Sequence, residues 1–149
     1  MKTVATSLTV RPEERYAFLD LTDDLRRAIK DAGVTDGMAV VFCAHTTCAL
    51  LINEWEDGAL QDFRRHLTEL IPHDGVYYRH DDFDLRTQNM HPDERKNGHA
   101  HVKSMFLSAT SHAIPVTAGE PVLGTWQRLI FFEMDEPKDR TITFHVIGS

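Results

Sequence analysis

Two apolar runs, Met38 to Ala44 and Cys48 to Ile52, stand on either side of the polar tripeptide His45-Thr46-Thr47. A strand with one solvated face alternates apolar and polar residues, whereas a run that is apolar throughout needs cover on both faces. The two runs therefore predict strands inside a layered domain. His45 then sits at the end of a buried strand or in its connection. A chain of 149 residues is the size of one domain and buries most of its apolar surface in one core, so residues 1–149 are read as a single unit.

The remaining segments fit that frame. Lys2 to Val10 and Arg15 to Leu19 alternate like strands across Arg11-Pro12-Glu13-Glu14 and predict a hairpin. Thr22 reads as a helix N-cap with Asp23 and Asp24 behind it; Leu21, Leu25, Ala28, Ile29 and Ala32 then recur at helical spacing until Gly33. Asp57 reads as the cap of a second helix with the stripe Leu60, Phe63, Leu67 and Leu70, ending before Pro72. Residues 73 to 98 are polar and turn-rich, and a loop of that length in a small domain tends to carry function. His99 to Leu107 reads as a short helix, followed by strands at His112 to Val116, Leu129 to Met134 and Thr141 to Ile147, with a turn at Ala118-Gly119-Glu120. The fold class is α+β, with mostly antiparallel strands and two or three helices.

Composition narrows the function. A net charge of -7, with no basic run longer than Arg26-Arg27 or Arg64-Arg65, argues against nucleic acid as a partner. No apolar stretch approaches the roughly 20 residues of a membrane helix, and the first residues read as a strand rather than a secretory leader, so a cytoplasmic protein without a membrane partner is expected. Cys43 and Cys48 match neither a zinc-knuckle nor a redox spacing and read as reduced, buried small residues.

Nine histidines are more than packing requires. Those at the edges of elements, His45, His80 and His101, are candidate metal ligands, because neutral imidazole is the commonest ligand and titrates near neutrality. Asn53, Glu54 and Asp81 are candidate orienting partners or general bases. Thr46, Thr47 and Asn97 flank the histidines and are candidate substrate contacts. No local spacing fixes a site, so on spacing alone the rings serve equally well as hydrogen-bonded structural groups. His66, His73, His91 and His145 are assigned to that structural role, while His99 and His112 fit either. On a helix, His99 and His101 diverge by about 200°. Gly124-Thr125-Trp126-Gln127 places an indole and a carboxamide after a turn glycine, either as a platform for a planar heterocycle or as plain packing.

Taken together these pieces resemble the YjbQ-like family, known as secondary thiamine-phosphate synthase enzymes. The resemblance runs through His45-Thr46-Thr47, Asn53-Glu54, Asp62, Tyr78-Arg79-His80-Asp81 and Ala100-His101-Val102-Lys103-Ser104. It continues through Ser111 to Pro115, Gly119, Gly124-Thr125-Trp126-Gln127, Glu133 and Arg140, and so spans the chain. It implies a β-sandwich domain that assembles as a homotrimer, with His45, His80 and His101 gathered near subunit contacts as shared metal-site residues. The chain departs from shorter members in Phe83 to Gly98 and in His99.

The activity the family is named for joins hydroxymethylpyrimidine diphosphate to thiazole phosphate, giving thiamine phosphate and pyrophosphate. A departing pyrophosphate needs cations, usually Mg²⁺ with Arg or Lys, whereas imidazoles suit Zn²⁺ better. The named activity is therefore expected to be secondary. The expectations are a small-molecule enzyme acting on a phosphorylated compound with a divalent ion, zinc favoured and magnesium possible. The alternatives are a metal-dependent hydrolase or lyase, and a non-catalytic trimer that binds a small anion.

Overall fold

The computed structural model describes residues 1–149. Strand β1 (Lys2–Val10) and β2 (Phe18–Asp20) precede helix α1 (Thr22–Ala32), and β3 (Gly37–Cys43) and β4 (Cys48–Glu54) precede α2 (Asp57–Leu70). After a single 3-10 turn at Arg79–Asp81 come α3 (Gly98–Leu107), β5 (Ser111–Thr117), β6 (Glu120–Pro121), β7 (Gln127–Glu133) and β8 (Arg140–Gly148). The strands form two antiparallel sheets, one of five in the order β1-β8-β3-β5-β6 and one of three in the order β2-β7-β4. The expected α+β class holds, with three α-helices.

The first two strands do not form the expected hairpin. β1 pairs along its whole length with β8, Lys2 opposite Gly148, while β2 pairs with β7 in the other sheet. Alternation tells which side chains share a face but not which strand lies alongside. The helix caps also differ from expectation. Thr22 is inside α1 and its Oγ1 accepts from the Leu129 amide, while Asp20 Oδ1 takes the Thr22 amide. Glu56, not Asp57, caps α2 by accepting from the amides of Gly58 and Ala59.

The apolar runs are explained by the layering. Leu50, Leu129 and Phe131 of the small sheet pack with Ala39, Val41, Ile114, Ile142, Phe144 and Val146 of the large one, and α1 closes the same core with Leu25 and Ile29. On the other face of the small sheet, Ala49, Phe132 and Met134 pack against Leu67 of α2 and Ala100 of α3. The small sheet is thus covered twice, which is why β4 and β7 carry so few polar residues. The large sheet is covered once. Met38 and Phe42 are exposed on its outer face, with Val40 between them opposite Ala113 and His145.

Phe132 is fully buried, stacked on Phe18 with centroids 4.6 Å apart and meeting Phe63 edge-on at 5.5 Å. Phe132→Ala removes the ring that joins β2 to α2 and should lower the unfolding free energy by about 3–5 kcal/mol, read as an earlier urea midpoint.

Candidate functional site

The connection from β3 to β4 passes from one sheet to the other and carries His45, Thr46 and Thr47. Thr141 donates its amide to His45 Nε2 at 2.9 Å, so that nitrogen is the acceptor and the ring proton sits on Nδ1. Burial and then the Arg140 charge hold the His45 pKa below the usual imidazole value. Beneath the loop Arg140 and Glu133, 2% and 0% exposed, form a two-point ion pair, with Nε to Oε2 at 2.8 Å and Nη2 to Oε1. Arg140 Nη2 also donates to Thr47 Oγ1 at 3.0 Å. Next to this pair Asp135 accepts from Asn97 Nδ2 and Lys138 Nζ, each at 2.8 Å. Burial opposes ionisation of Asp135, but these hydrogen bonds outweigh it and hold the carboxyl at about 2.

His80 and His101 come together. The 3-10 turn presents His80, and α3 turns His101 toward it, with ring centroids 4.4 Å apart and planes inclined by 31°. Arg86 Nη1 lies 3.3 Å from His80 Nδ1, and Asp81 Oδ1 lies 3.5 Å from the same atom. Glu94 holds Arg86 at 3.1 Å, and Asp81 Oδ1 also accepts the Gly98 amide at 2.8 Å, which ties the turn to the start of α3. Burial and then the neighbouring His80 keep the His101 pKa below its ordinary value, so His101 is neutral at neutral pH. Beside this pair an open pocket of about 520 Å³ is lined by Arg79, His80, Leu85, Arg86, Thr87, Gln88 and Asn89. Arg79 and His80 suit a phosphorylated anion, with the His101 imidazole adjacent, while Arg86 is itself held by Glu94 and by the carbonyls of His80, Gln88 and Asn89.

The other expected site residues are elsewhere. Asn53 and Glu54 end β4, about 20 Å along the strand from Cys48 at the usual strand rise. There they pair with Arg128 and Gln127. Asn53 Oδ1 accepts the Glu54 amide, Gln127 Oε1 accepts the Gly124 amide, and Trp126 is 70% exposed beside them. Thr46 is exposed, while Thr47 and Asn97 are buried in the Arg140 and Asp135 networks. His112 is structural, with Nε2 donating to the Leu50 carbonyl at 2.8 Å. Cys43 and Cys48 are buried free thiols at the two ends of the His45 loop, with sulfurs 3.1 Å apart.

A divalent ion is implied by the resemblance. Within one chain no three His, Cys, Asp or Glu side chains are arranged to hold one. His80 Nδ1 faces a guanidinium and His45 Nε2 is taken by an amide, so the residues of a single protomer do not fit that group.

The sequence does not single out Arg86, Glu94, Asp135 or Tyr16, and Lys103 enters it only within the segment Ala100-His101-Val102-Lys103-Ser104. Lys103 Nζ, wholly buried, lies 3.0 Å from His99 Nδ1 and 3.2 Å from the Tyr16 hydroxyl. Burial, then the Lys103 charge, push the His99 pKa down to about 3. Between its ordinary value of 6.5 and about 3 the unfolded chain therefore holds one more proton at this ring, and folding stability falls as pH drops through that window. Denaturant unfolding at neutral pH and near pH ~4.5 should show a larger acid loss in the wild type than in His99→Asn. Separately, Arg140→Met strands the Glu133 carboxylate in the core and should cost about 3–5 kcal/mol of stability in urea unfolding.

Comparison with known proteins gives a consistent picture. The chain matches the family described as UPF0047 protein YjbQ-like over residues 6–149. A UPF0047 protein of Archaeoglobus fulgidus is 36% identical over 135 residues, covering 91% of this chain and 94% of that one. The UPF0047 protein YugU of Bacillus subtilis is 31% identical, covering 95% and 98%. Among solved structures, a YbjQ-like protein of unknown function from Sulfolobus solfataricus superposes with a TM-score of 0.86 at 28% identity, covering 99% of both chains. A hypothetical protein from Aeropyrum pernix gives 0.83 at 33% identity, covering 98% of this chain and 99% of that one. With its sequence matched over nearly its whole length and its fold shared, this chain belongs to the UPF0047 YjbQ-like family.

Proposed function

We propose that the protein is a small-molecule enzyme whose substrate carries a phosphate or diphosphate, bound beside His80 and His101. The observation that carries this reading is the pairing of a neutral His101 with His80 under the Arg86 guanidinium, at the edge of a pocket that also holds Arg79. In this reading Arg79 neutralises the phosphoryl oxygens while Arg86, held by Glu94 and by the Gln88 and Asn89 carbonyls, positions His80; stabilisation of developing charge by fixed cations is commonly the largest catalytic contribution. His80 and His101 each offer a ring N–H to the departing oxyanion; the lone pair of the thiazole nitrogen forms the C–N bond as the C–O bond to pyrophosphate breaks, and no proton is released. Asp81, 3.5 Å from His80 Nδ1, orients that ring.

The named activity of the family, thiamine phosphate formation, fits these requirements as a transfer that expels pyrophosphate. No step is assigned to a metal ion, because a transition ion needs ligands from more than one chain. A metal-dependent hydrolase or lyase is the second reading, favoured by the neutral state of both His45 and His101. Stoichiometric zinc in untagged protein, lost in His101→Ala, would favour it.

The homotrimer implied by the resemblance is supported by the uncovered outer face of the large sheet. Met38, Val40, Phe42, Ala113, Pro115 and Ile147 lie on that face, and an apolar sheet face of this kind is usually covered by a partner. Association also supports a composite site, since Glu54, Trp126 and Gln127 lie too far along β4 and β7 to reach His101 within one chain. Light scattering should give a mass near three protomers of 17.0 kDa.

Purified protein supplied with hydroxymethylpyrimidine diphosphate and thiazole phosphate should release thiamine phosphate and pyrophosphate. His101→Ala should lower the rate about a hundredfold, the scale of a lost hydrogen-bond donor to developing charge. Product no greater than that of His101→Ala overturns the transferase reading.

A further inference from the structure

Helix α3 carries a second set of groups on the face opposite His101. Lys103 is wholly buried and has no carboxylate partner; its ammonium meets only the Tyr16 hydroxyl and His99 Nδ1. A buried cation without a counter-ion is unusual, because desolvation is offset only by pairing or by strong hydrogen bonds. The ammonium has protons to give and no lone pair, which fixes the chemistry of both neighbours. His99 Nδ1 must accept, so its ring proton sits on Nε2, and that buried nitrogen has no hydrogen-bond partner. Tyr16 Oη also accepts from Lys103, leaving its own proton free to donate elsewhere.

These groups back onto an open pocket of about 530 Å³. Tyr16 and His73 line it, and both touch His99, with the His73 and His99 rings 4.4 Å apart and nearly perpendicular. Arg64 of α2 lines the pocket and enters no ion pair, and the Nε of Arg15 is buried without a partner near His73. Tyr16 holds a left-handed backbone conformation with φ of 66°, uncommon for a bulky residue and typical of strain retained at functional sites.

We propose that this pocket is a second ligand site that takes a small oxyanion, a phosphate or carboxylate group, held by the Tyr16 hydroxyl, His73 and Arg64 over the buried Lys103 charge. The anion would supply, across the Tyr16 hydroxyl, the counter-charge that Lys103 lacks. It lies on the opposite face of α3 from the His80–His101 pair and does not depend on the function assigned to that pair.

The test is calorimetric titration of a His80→Ala, Arg86→Ala protein, in which the first pocket is disabled, with inorganic phosphate and separately with acetate. Saturable binding of either anion is expected, and the anion that binds defines the class. In the same background Tyr16→Phe keeps the ring on Phe132 and should weaken binding about tenfold, as expected of one lost hydrogen bond to a charged group. Lys103→Met should abolish it. Absence of binding by both anions, or binding unchanged by Tyr16→Phe, overturns the proposal and leaves the His80–His101 reading untouched. Failure of the wild-type protein to form thiamine phosphate, with anion binding intact, does the reverse. Should Lys103→Met not fold, Tyr16→Phe alone decides between the outcomes.

Discussion

The buried Arg140–Glu133 pair is the constraint on which the site end of the molecule depends. Arg140 opens β8 of the five-stranded sheet and Glu133 closes β7 of the three-stranded one, so their two-point contact fastens the sheets at one edge. Arg140 also holds Thr47, which precedes β4, and the next residue, Thr141, gives its amide to His45. One guanidinium therefore sets the spacing of the sheets and the path of the loop between them. Such a pair adds little net stability compared with apolar residues of the same size. Its value here is geometric, because five donors in a fixed plane define where Glu133 and Thr47 must be.

From that edge the order extends outward through charge. The amide of Asp135 donates to Glu133 Oε1, and Asp135 in turn receives Asn97 at the start of α3 and Lys138 before β8. Asn97 thus anchors the helix that carries both His99 and His101. Asp81 grips the same helix start through the Gly98 amide while standing beside His80. A side chain at position 98 would collide with Tyr78, so glycine is required where the turn and the helix meet. The His80–His101 pair is therefore placed by two carboxylates that hold the start of α3, Asp135 through the Asn97 side chain and Asp81 through the Gly98 amide, rather than by the rings themselves.

Much of the architecture was legible in the chain because burial on two faces leaves a signature that few other arrangements share. The apolar runs around His45 mark strands that need double cover, and β4 has it, while β3 has it on one side only. The alternation of Ile142, Phe144 and Val146 identified the inner face of β8 correctly. Strand partners were not legible. β1 looks like one arm of a hairpin, yet its partner lies at the other end of the chain, and nothing local distinguishes the two pairings. The divergence of His99 and His101 followed from helix geometry, whereas the coming together of His80 and His101 required the tertiary fold. Arg140, Glu133 and Lys103 stood out only as residues of the family segments, and their burial was not legible, since sequence carries no mark that separates a buried charge from a solvated one. Only Arg86 had a local clue, its place in the long polar segment after His80.

The distribution of polar residues along β4 and β7 leads to a broader point about how this fold can work. These two strands run antiparallel through the middle of the domain, with Thr47 and Glu133 at one end and Glu54 and Gln127 at the other. The family segments are thus exposed at two ends of a rigid, doubly covered sheet, too far apart to meet around one substrate. A sheet buried on both faces cannot bend to bring them together, because its side chains are packed at interior density. Either the two ends serve separate tasks, or a neighbouring copy brings one end of its small sheet to the opposite end of this one. The uncovered face of the large sheet favours the second arrangement, since β3 carries the exposed Met38 and Phe42 directly up to the His45 loop. A copy docked there would cover apolar surface and approach the histidines in the same step, so assembly and completion of the site would be one event.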